Sequence, residues 1–326
     1  MKTPTLNNMF WLVKREFWEH RGGFLWAPVI TGGVFLLLNI MGIITAEVIG
    51  ARRGIRIGAS GGLQHVIAEM NAGDLSKVGL ALDVAMYSAM GLIAVVLGFM
   101  VLFYCLGALY DERRDRSVLF WKSLPVSDRD TVLSKVVSAT LVAPAIAIVV
   151  GIVVGMLQLL IVTVVLSFHG VHVWQLLTLA HPFRVTANLL GSIPLYLLWA
   201  LPSVGWLLLC SAWARSKPFL WAVALPVVTG VLVSWFGIMG LFNLPTGWFW
   251  ANVVQRLLLS VFPGASILAG AHGINVGHVG TDPRMDFMDL SQTYQLLGAP
   301  DVWIGVVVGM GLIAAAIWFR RWRDDS

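Results

Sequence analysis

The stretch VAMYSAMGLIAVVLGFMVLFYCLGALY, residues 84–110, runs for 27 residues without one Asp, Glu, Lys or Arg. It is followed at once by DERRDRSVLFWKSLPVSDRD, residues 111–130, which opens on six consecutive charged residues, Asp111 to Arg116. A helix needs about 20 apolar residues to cross the hydrocarbon core of a bilayer, so the first part reads as a membrane span and the second as the polar segment on which it ends. Five further apolar blocks repeat the first part: Phe24–Ile49, Leu133–Phe168, Leu189–Ala212, Pro218–Leu241 and Val302–Phe319. The first is too long for the 7–15-residue apolar region of a secretory signal and reads as a retained span.

Composition agrees. Of 326 residues, 58% are hydrophobic and 12% charged, where a soluble domain carries about 25% charged, and the mean hydropathy is +0.82. These values exclude a soluble enzyme, a nucleic-acid-binding domain and a disordered regulator, despite a net charge of +5. The expected fold is an all-α polytopic membrane protein with six transmembrane helices. Its parts are an amphipathic segment 1–23, spans one to five over 24–241 interrupted by the charged segment 111–130, an outer segment 242–301, and the last span with its tail over 302–326. Cys105 and Cys210 lie in separate apolar blocks and read as apolar fillers.

Six spans put both termini on one side. The segments on that side, with Lys135 at the start of the third span, hold 15 of the 22 Lys and Arg, against 9 acidic residues. The opposite side holds 7 basic residues (Arg52, Arg53, Arg56, Lys77, Arg184, Arg256 and Arg284) and 8 acidic ones. The positive-inside rule therefore makes both termini cytoplasmic. Gly151-x-x-x-Gly155 and Gly305-x-x-x-Gly309 are candidate dimer faces, because small residues let helix backbones approach closely.

Before the first span, MFWLVKREFWEHR (Met9 to Arg21) is amphipathic at helical spacing. Phe10, Trp11, Val13, Phe17 and Trp18 share one side and Arg15, Glu16, Glu19 and His20 the other, with Lys14 and Arg21 intruding on the apolar side. Such a helix lies on a membrane surface or touches a cytoplasmic partner. In the charged segment, Ser117 to Leu124 mixes apolar and aromatic residues with one lysine, Pro125 stops it, and Ser127 is an N-cap candidate with Asp130 three residues on. Phe120 and Trp121 amid so many charges point to a protein-docking element. On the other side, Ala251 to Gly270, broken by Pro263-Gly264, reads as a pair of short re-entrant helices, tolerated where they are buried in protein.

Several chemistries are missing. There is no GxxxxGK[ST] phosphate loop, so the chain is not itself a P-loop ATPase; there is no HExxH; and the outer loops hold no paired carboxylates or nucleophile–base spacing. His169, His172 and His181 read as interfacial histidines rather than metal ligands. Spans four to six carry no ionisable residue in their interiors, which gives a proton-coupled transporter little to work with. Asn39 and Gln158 are the candidate path-lining residues, and each reads more readily as a helix–helix hydrogen-bonding group.

KREFWEHR before span one and YDERRDRSVLFWKSLPVSDRD running into TVLSK together resemble the permease subunits of ABC-2 type ATP-binding-cassette exporters. The resemblance implies a multi-pass protein of the bacterial plasma (inner) membrane that forms the translocation pathway. It implies a separate ATP-binding subunit in two copies, which binds ATP and Mg, with this chain as a homodimer in the lipid bilayer and no nucleic-acid partner. Carried over, Phe10, Lys14, Arg15, Phe17 and Trp18 of the connecting helix would grip that subunit. Asp111, Glu112, Arg113, Arg114, Arg116, Phe120, Trp121, Lys122 and Pro125 of the coupling segment would do the same. The outer segment is longer than the family's usual short cap. The rival expectation is a non-transporting membrane scaffold, or a membrane enzyme acting through that outer segment.

Overall fold

The computed structural model describes residues 6–52, 71–115, 127–169, 177–240, 246–265 and 294–322. Among the described residues all regular structure is helical. Six helices are long and apolar enough to cross a membrane, numbered here spans 1 to 6: Gly22–Arg52, Gly73–Arg114, Asp128–Phe168, Pro182–Trp213, Pro218–Ile238 and Pro300–Trp322. The chain is an all-α, multi-pass membrane protein. A separate helix, α1 (Leu6–Glu19), precedes span 1.

Spans 2 and 3 are longer than the apolar blocks that announced them, 42 and 41 residues. At 1.5 Å per residue each reaches about 60 Å, roughly twice the hydrocarbon thickness, so both project past the membrane face. Span 2 does so across a break at Leu109, where the Ser211 hydroxyl of span 4 enters its ladder. Ser211 Oγ accepts from the amides of Leu109 (3.1 Å) and Tyr110 (2.9 Å) and donates to the Leu106 carbonyl (2.7 Å). A side chain inserted in this way interrupts a helix, and a separate helical turn, Tyr110–Arg114, follows it. Span 3 begins where the Ser127 hydroxyl accepts from the Asp130 amide at 3.1 Å, the expected N-cap.

Spans 2 and 4 form the centre. Ile93, Leu97, Val101 and Cys105 of span 2 pack with Val204, Leu207, Leu208 and Cys210 of span 4, with Ala139, Ala143 and Ala147 of span 3 and Ile313 and Ala316 of span 6 closing the cluster. Both cysteines are buried and free. Leu37, Val149, Val231 and Val307 point outward and exposed, the surface a bilayer covers. Because lipid is as apolar as these side chains, the spans are held by close packing and hydrogen bonds rather than by the hydrophobic effect.

The glycine motifs supply that packing inside the chain, which corrects the expectation of dimer faces. Gly151 and Gly155 of span 3 lie against Met90 and Met86 of span 2, and Gly309 of span 6 lies against the backbone of Leu201 in span 4. A Cβ on Gly309 would stand 2.7 Å from the Leu201 carbonyl carbon, whereas one on Gly311, two residues on, would meet nothing within 4 Å. Gly309→Ala is therefore expected to cost about 1–3 kcal/mol by overpacking, while Gly311→Ala is neutral or slightly stabilising through helix propensity. Thermal melts of the two variants in detergent check this, and equal effects would contradict it.

Between spans 5 and 6 the chain makes a helical turn at Thr246–Phe249, a π-helical stretch at Trp250–Gln255 and a short helix at Arg256–Leu259, then turns at Gly264 with φ of 90°. The short helix expected before Pro263-Gly264 is present; the one expected after it falls mainly on residues 266–270, outside the described residues. Tyr196 and Ser203 of span 4 donate to the carbonyls of Val261 and Arg256, each at 2.8 Å, and Trp250 Nε1 donates to Ser234 of span 5 at 2.9 Å. Residues 266–293, with Asp282, Arg284, Asp286 and Asp289, lie outside the described residues.

Candidate functional site

Helix α1 does not use the faces that its amphipathic pattern suggests. Leu12 and Glu16 share its buried stripe, four residues apart, and Phe17 packs partly buried against the core. The aromatic side faces out instead: Phe10 is 61% exposed, Trp11 58% and Trp18 56%. Lys14 leans over the Trp11 ring, 4.8 Å from its centroid. The reversal has an electrostatic cause. Glu16 is fully buried because the bundle offers it a complete set of partners: Lys135 Nζ donates to Oε1 at 3.0 Å, Tyr104 Oη to Oε2 at 2.9 Å, and Arg15 Nη2 to Oε1 at 2.8 Å. A buried charge is tolerated when it is paired and hydrogen-bonded on every side.

The pairing continues through the bundle. Lys135, 2% exposed, bridges from Glu16 to Glu112 Oε1 at 2.9 Å. Glu112 Oε2 accepts from Arg320 Nη1 at 2.7 Å, and Arg320 Nε donates to Asp128 Oδ1 at 3.2 Å. One chain of ion pairs thus ties α1, the end of span 2, the start of span 3 and the end of span 6. Three carboxylates face three cations (Arg15, Lys135 and Arg320), so the cluster is neutral as a whole. Beside it opens a cavity of about 530 Å³, lined by Glu19, Asp111 and Asp115 and floored by Phe24 and Phe103.

Three π-helical stretches occur among the described residues. Gly22–Trp26 begins three residues after Glu19, where α1 ends, and Ser138–Val142 begins three residues after Lys135; the third, Trp250–Gln255, ends immediately before Arg256. The second lies beside the buried Lys135 and the third beside the half-buried Arg256, and such bulges concentrate at functional sites.

Burial alone would raise the Glu16 carboxyl. The Lys135 ammonium, the hydrogen bonds from Lys135 and Tyr104, and the Arg15 charge outweigh it and hold the group below its ordinary 4.5. A carboxyl lowered by folding stabilises the native state above its unfolded value, and that contribution is lost as pH falls through the folded one. The contribution from Glu16 is therefore intact above pH 4.5 and lost below it. Melting temperatures followed down through that pH are expected to fall more steeply for the wild-type chain than for Glu16→Gln; parallel curves would contradict the assignment.

Of the other residues singled out in the sequence, Arg113 is turned inward, its Nη2 donating to the carbonyls of Ser211 and of Ala214 (3.0 Å). Asp111 and Arg114 are exposed. Arg116, Phe120, Trp121, Lys122 and Pro125 lie outside the described residues. Gln158 Nε2 donates to Asn39 Oδ1 at 3.2 Å, tying span 3 to span 1, so these two side chains are engaged with each other. At the opposite end of the bundle, His169 meets Glu47 at 2.9 Å and His181 meets Asp83 at 3.1 Å. Among the described residues no His, Cys, Asp and Glu side chains group as a metal site.

Spacing and position alone put Glu16 on the polar face of its helix, Lys135 at the interface and Arg320 in the positive tail; the structure buries all three. The available signal was Lys135 itself, a charge set between Leu133 and Val136 in an otherwise apolar run, which calls for a partner. Arg256 falls, in the sequence, among the outer-side basic residues, within the segment Ala251 to Gly270 expected as short re-entrant helices. The structure instead inserts it between spans 4 and 6, so the interior of this half of the bundle is not free of charge.

Residues 79–202 match the family model described as ABC-2 family transporter protein. The match takes in most of span 2, the charged segment, span 3 and two thirds of span 4, the stretch that carries Glu112, Asp128 and Lys135. No curated protein and no solved structure gives a significant match. Residues 79–202 are thus similar to an ABC-2 family transporter domain, set within a six-span membrane protein, in agreement with the resemblance of the motifs.

Proposed function

We propose that the chain is the permease subunit of an ATP-driven exporter, with the ion-paired end of the bundle facing the cytoplasm of a bacterial plasma membrane. The observation that carries this reading is the mounting of α1. Its buried face is bolted through Glu16 to Lys135, and through Glu112 to Arg320, while Phe10, Trp11 and Trp18 project outward. A helix fixed on one side and aromatic on the other is built to receive a partner and to pass its movement to three spans at once. Asp111 and Arg114 stand exposed beside it, and the cavity that Glu19, Asp111, Glu112 and Asp115 line suits a basic segment of that partner.

The partner is a separate ATP-binding subunit in two copies, holding ATP and Mg itself, with two copies of this chain forming the pathway. Closure of the ATP-binding subunits pulls on α1 and on the coupling segment from Asp111 to Pro125. The ion-paired cluster converts that pull into a common displacement of spans 2, 3 and 6. ATP drives the change only by stabilising one arrangement of the spans over another.

Charge reversal across Asp111, Glu112, Arg113, Arg114 and Arg116 tests the reading in membranes that contain the whole complex. The expected result is ATP hydrolysis that no longer depends on the permease. Unaltered coupling would favour the scaffold alternative.

A further inference from the structure

The Arg256 guanidinium lies over the indole of Trp199 in span 4, 3.4 Å from the ring centroid. Both of its terminal nitrogens, Nη1 and Nη2, are buried without a hydrogen-bond partner, and so is Trp199 Nε1. Span 6 closes the other side with Gly305, where a Cβ would stand 2.5 Å from Nη2. Asp301, four residues before Gly305, attracts the guanidinium through space.

Every orphaned atom here is a donor: a guanidinium offers five N–H groups and no acceptor, and an indole offers one N–H. Stacking on Trp199 occupies the face of the guanidinium and leaves its edge, the part that grips an oxyanion with two parallel bonds. Gly305 lies five residues inside span 6 and Trp199 seventeen inside span 4, about 8 and 26 Å along their helices, so the group sits at membrane depth. A cation held there without hydrogen bonds is expensive, and such residues mark substrate or lipid sites.

We propose that Arg256 and Trp199 form a binding site for the oxyanion group of an amphiphile, a phosphate in the first instance, reached when spans 4 and 6 part at this end. The guanidinium edge and the indole N–H hold the anion, and the surrounding apolar side chains take the body of the ligand. That the amphiphile is cargo rests on the permease reading; the binding itself does not.

The test uses the full-length chain in a neutral maltoside detergent, melted by tryptophan fluorescence against three probes. These are dioctanoyl phosphatidic acid, dioctanoylglycerol as its uncharged counterpart, and inorganic phosphate. The expected result is a saturable rise in melting temperature with phosphatidic acid and none with dioctanoylglycerol. Arg256→Gln is expected to raise the half-saturating concentration at least about tenfold, and Trp199→Phe, which keeps the ring and loses the N–H, by a smaller factor. A matching response to inorganic phosphate supports the site and shows that it opens to water; a response to the lipid phosphate alone supports it and shows entry from the bilayer. Arg256→Gln titrating like wild type, or no saturable response to either phosphate, overturns the proposal. If Arg256→Gln does not survive solubilisation, Arg256→Lys, which keeps the charge and loses the fork, is titrated instead, and an unchanged half-saturation again overturns it. Because no ATPase and no transport enter the experiment, its failure removes the site and leaves the permease reading untouched.

Discussion

Lys135→Met is expected to be the most damaging single substitution at the ion-paired end of the bundle. Lys135 Nζ lies 3.0 Å from Glu16 and 2.9 Å from Glu112, and its removal takes the shared cation from both, leaving the buried Glu16 to Arg15 and Tyr104 and the half-buried Glu112 to Arg320. Breaking a buried pair in this way costs about 3–5 kcal/mol, on the order of 10 °C in melting temperature for a chain of this size. Glu16→Leu alone should cost less, because Lys135 keeps Glu112. The double variant Glu16→Leu/Lys135→Met should recover part of the single loss, since the buried carboxylate that lost its ammonium is gone and the sites are coupled. A wild-type melting temperature for Lys135→Met, or strict additivity in the cycle, would show that the cluster is not the clamp described here.

Arg320 gives the second large effect, and its sign depends on the fork. Nη1 reaches Glu112 at 2.7 Å while Nε reaches Asp128 at 3.2 Å, so one planar group ties span 6 to the end of span 2 and the start of span 3. A lysine ammonium is a single point on a flexible stem and cannot reproduce two divergent contacts. Arg320→Lys should therefore lose at least half of what Arg320→Met loses, itself about 3 kcal/mol. On the proposed reading, both variants should still bind an ATP-binding subunit in the assembled complex, because α1 keeps its outward face, but hydrolysis should respond weakly to the permease. Melting curves and hydrolysis rates read the two halves of this expectation separately. Arg320→Lys behaving as wild type in both would contradict it.

The spans were legible in the sequence because a bilayer imposes one demand, an apolar run of sufficient length, and 84–110 meets it without ambiguity. The Ser127 cap and the break at Pro263-Gly264 were legible for the same reason: each is local chemistry. The inward face of α1 was not, because hydrophobic spacing assigns Glu16 to water, and only the arrival of Lys135 and Tyr104 from residues about 90 to 120 positions away reverses that. Arg256 was misplaced for a related reason. Its neighbours along the chain announce a short helix on the outer side, while the groups that enclose it, Trp199 and Gly305, come from two different spans. The glycine motifs showed that close packing occurs; which helix they pack against depends on topology that no motif encodes.

The central claim is that this chain is a permease driven by a separate ATPase through its ion-paired end. Its most direct test is the composition of the complex purified from the native host through a tag on the full-length chain. The expected result is a stoichiometric protein bearing a phosphate-loop motif, identified by mass spectrometry and lost when Arg113, Arg114 and Trp121 are replaced together. A clean, stable preparation that never retains such a protein would contradict the claim and turn attention to the outer segment.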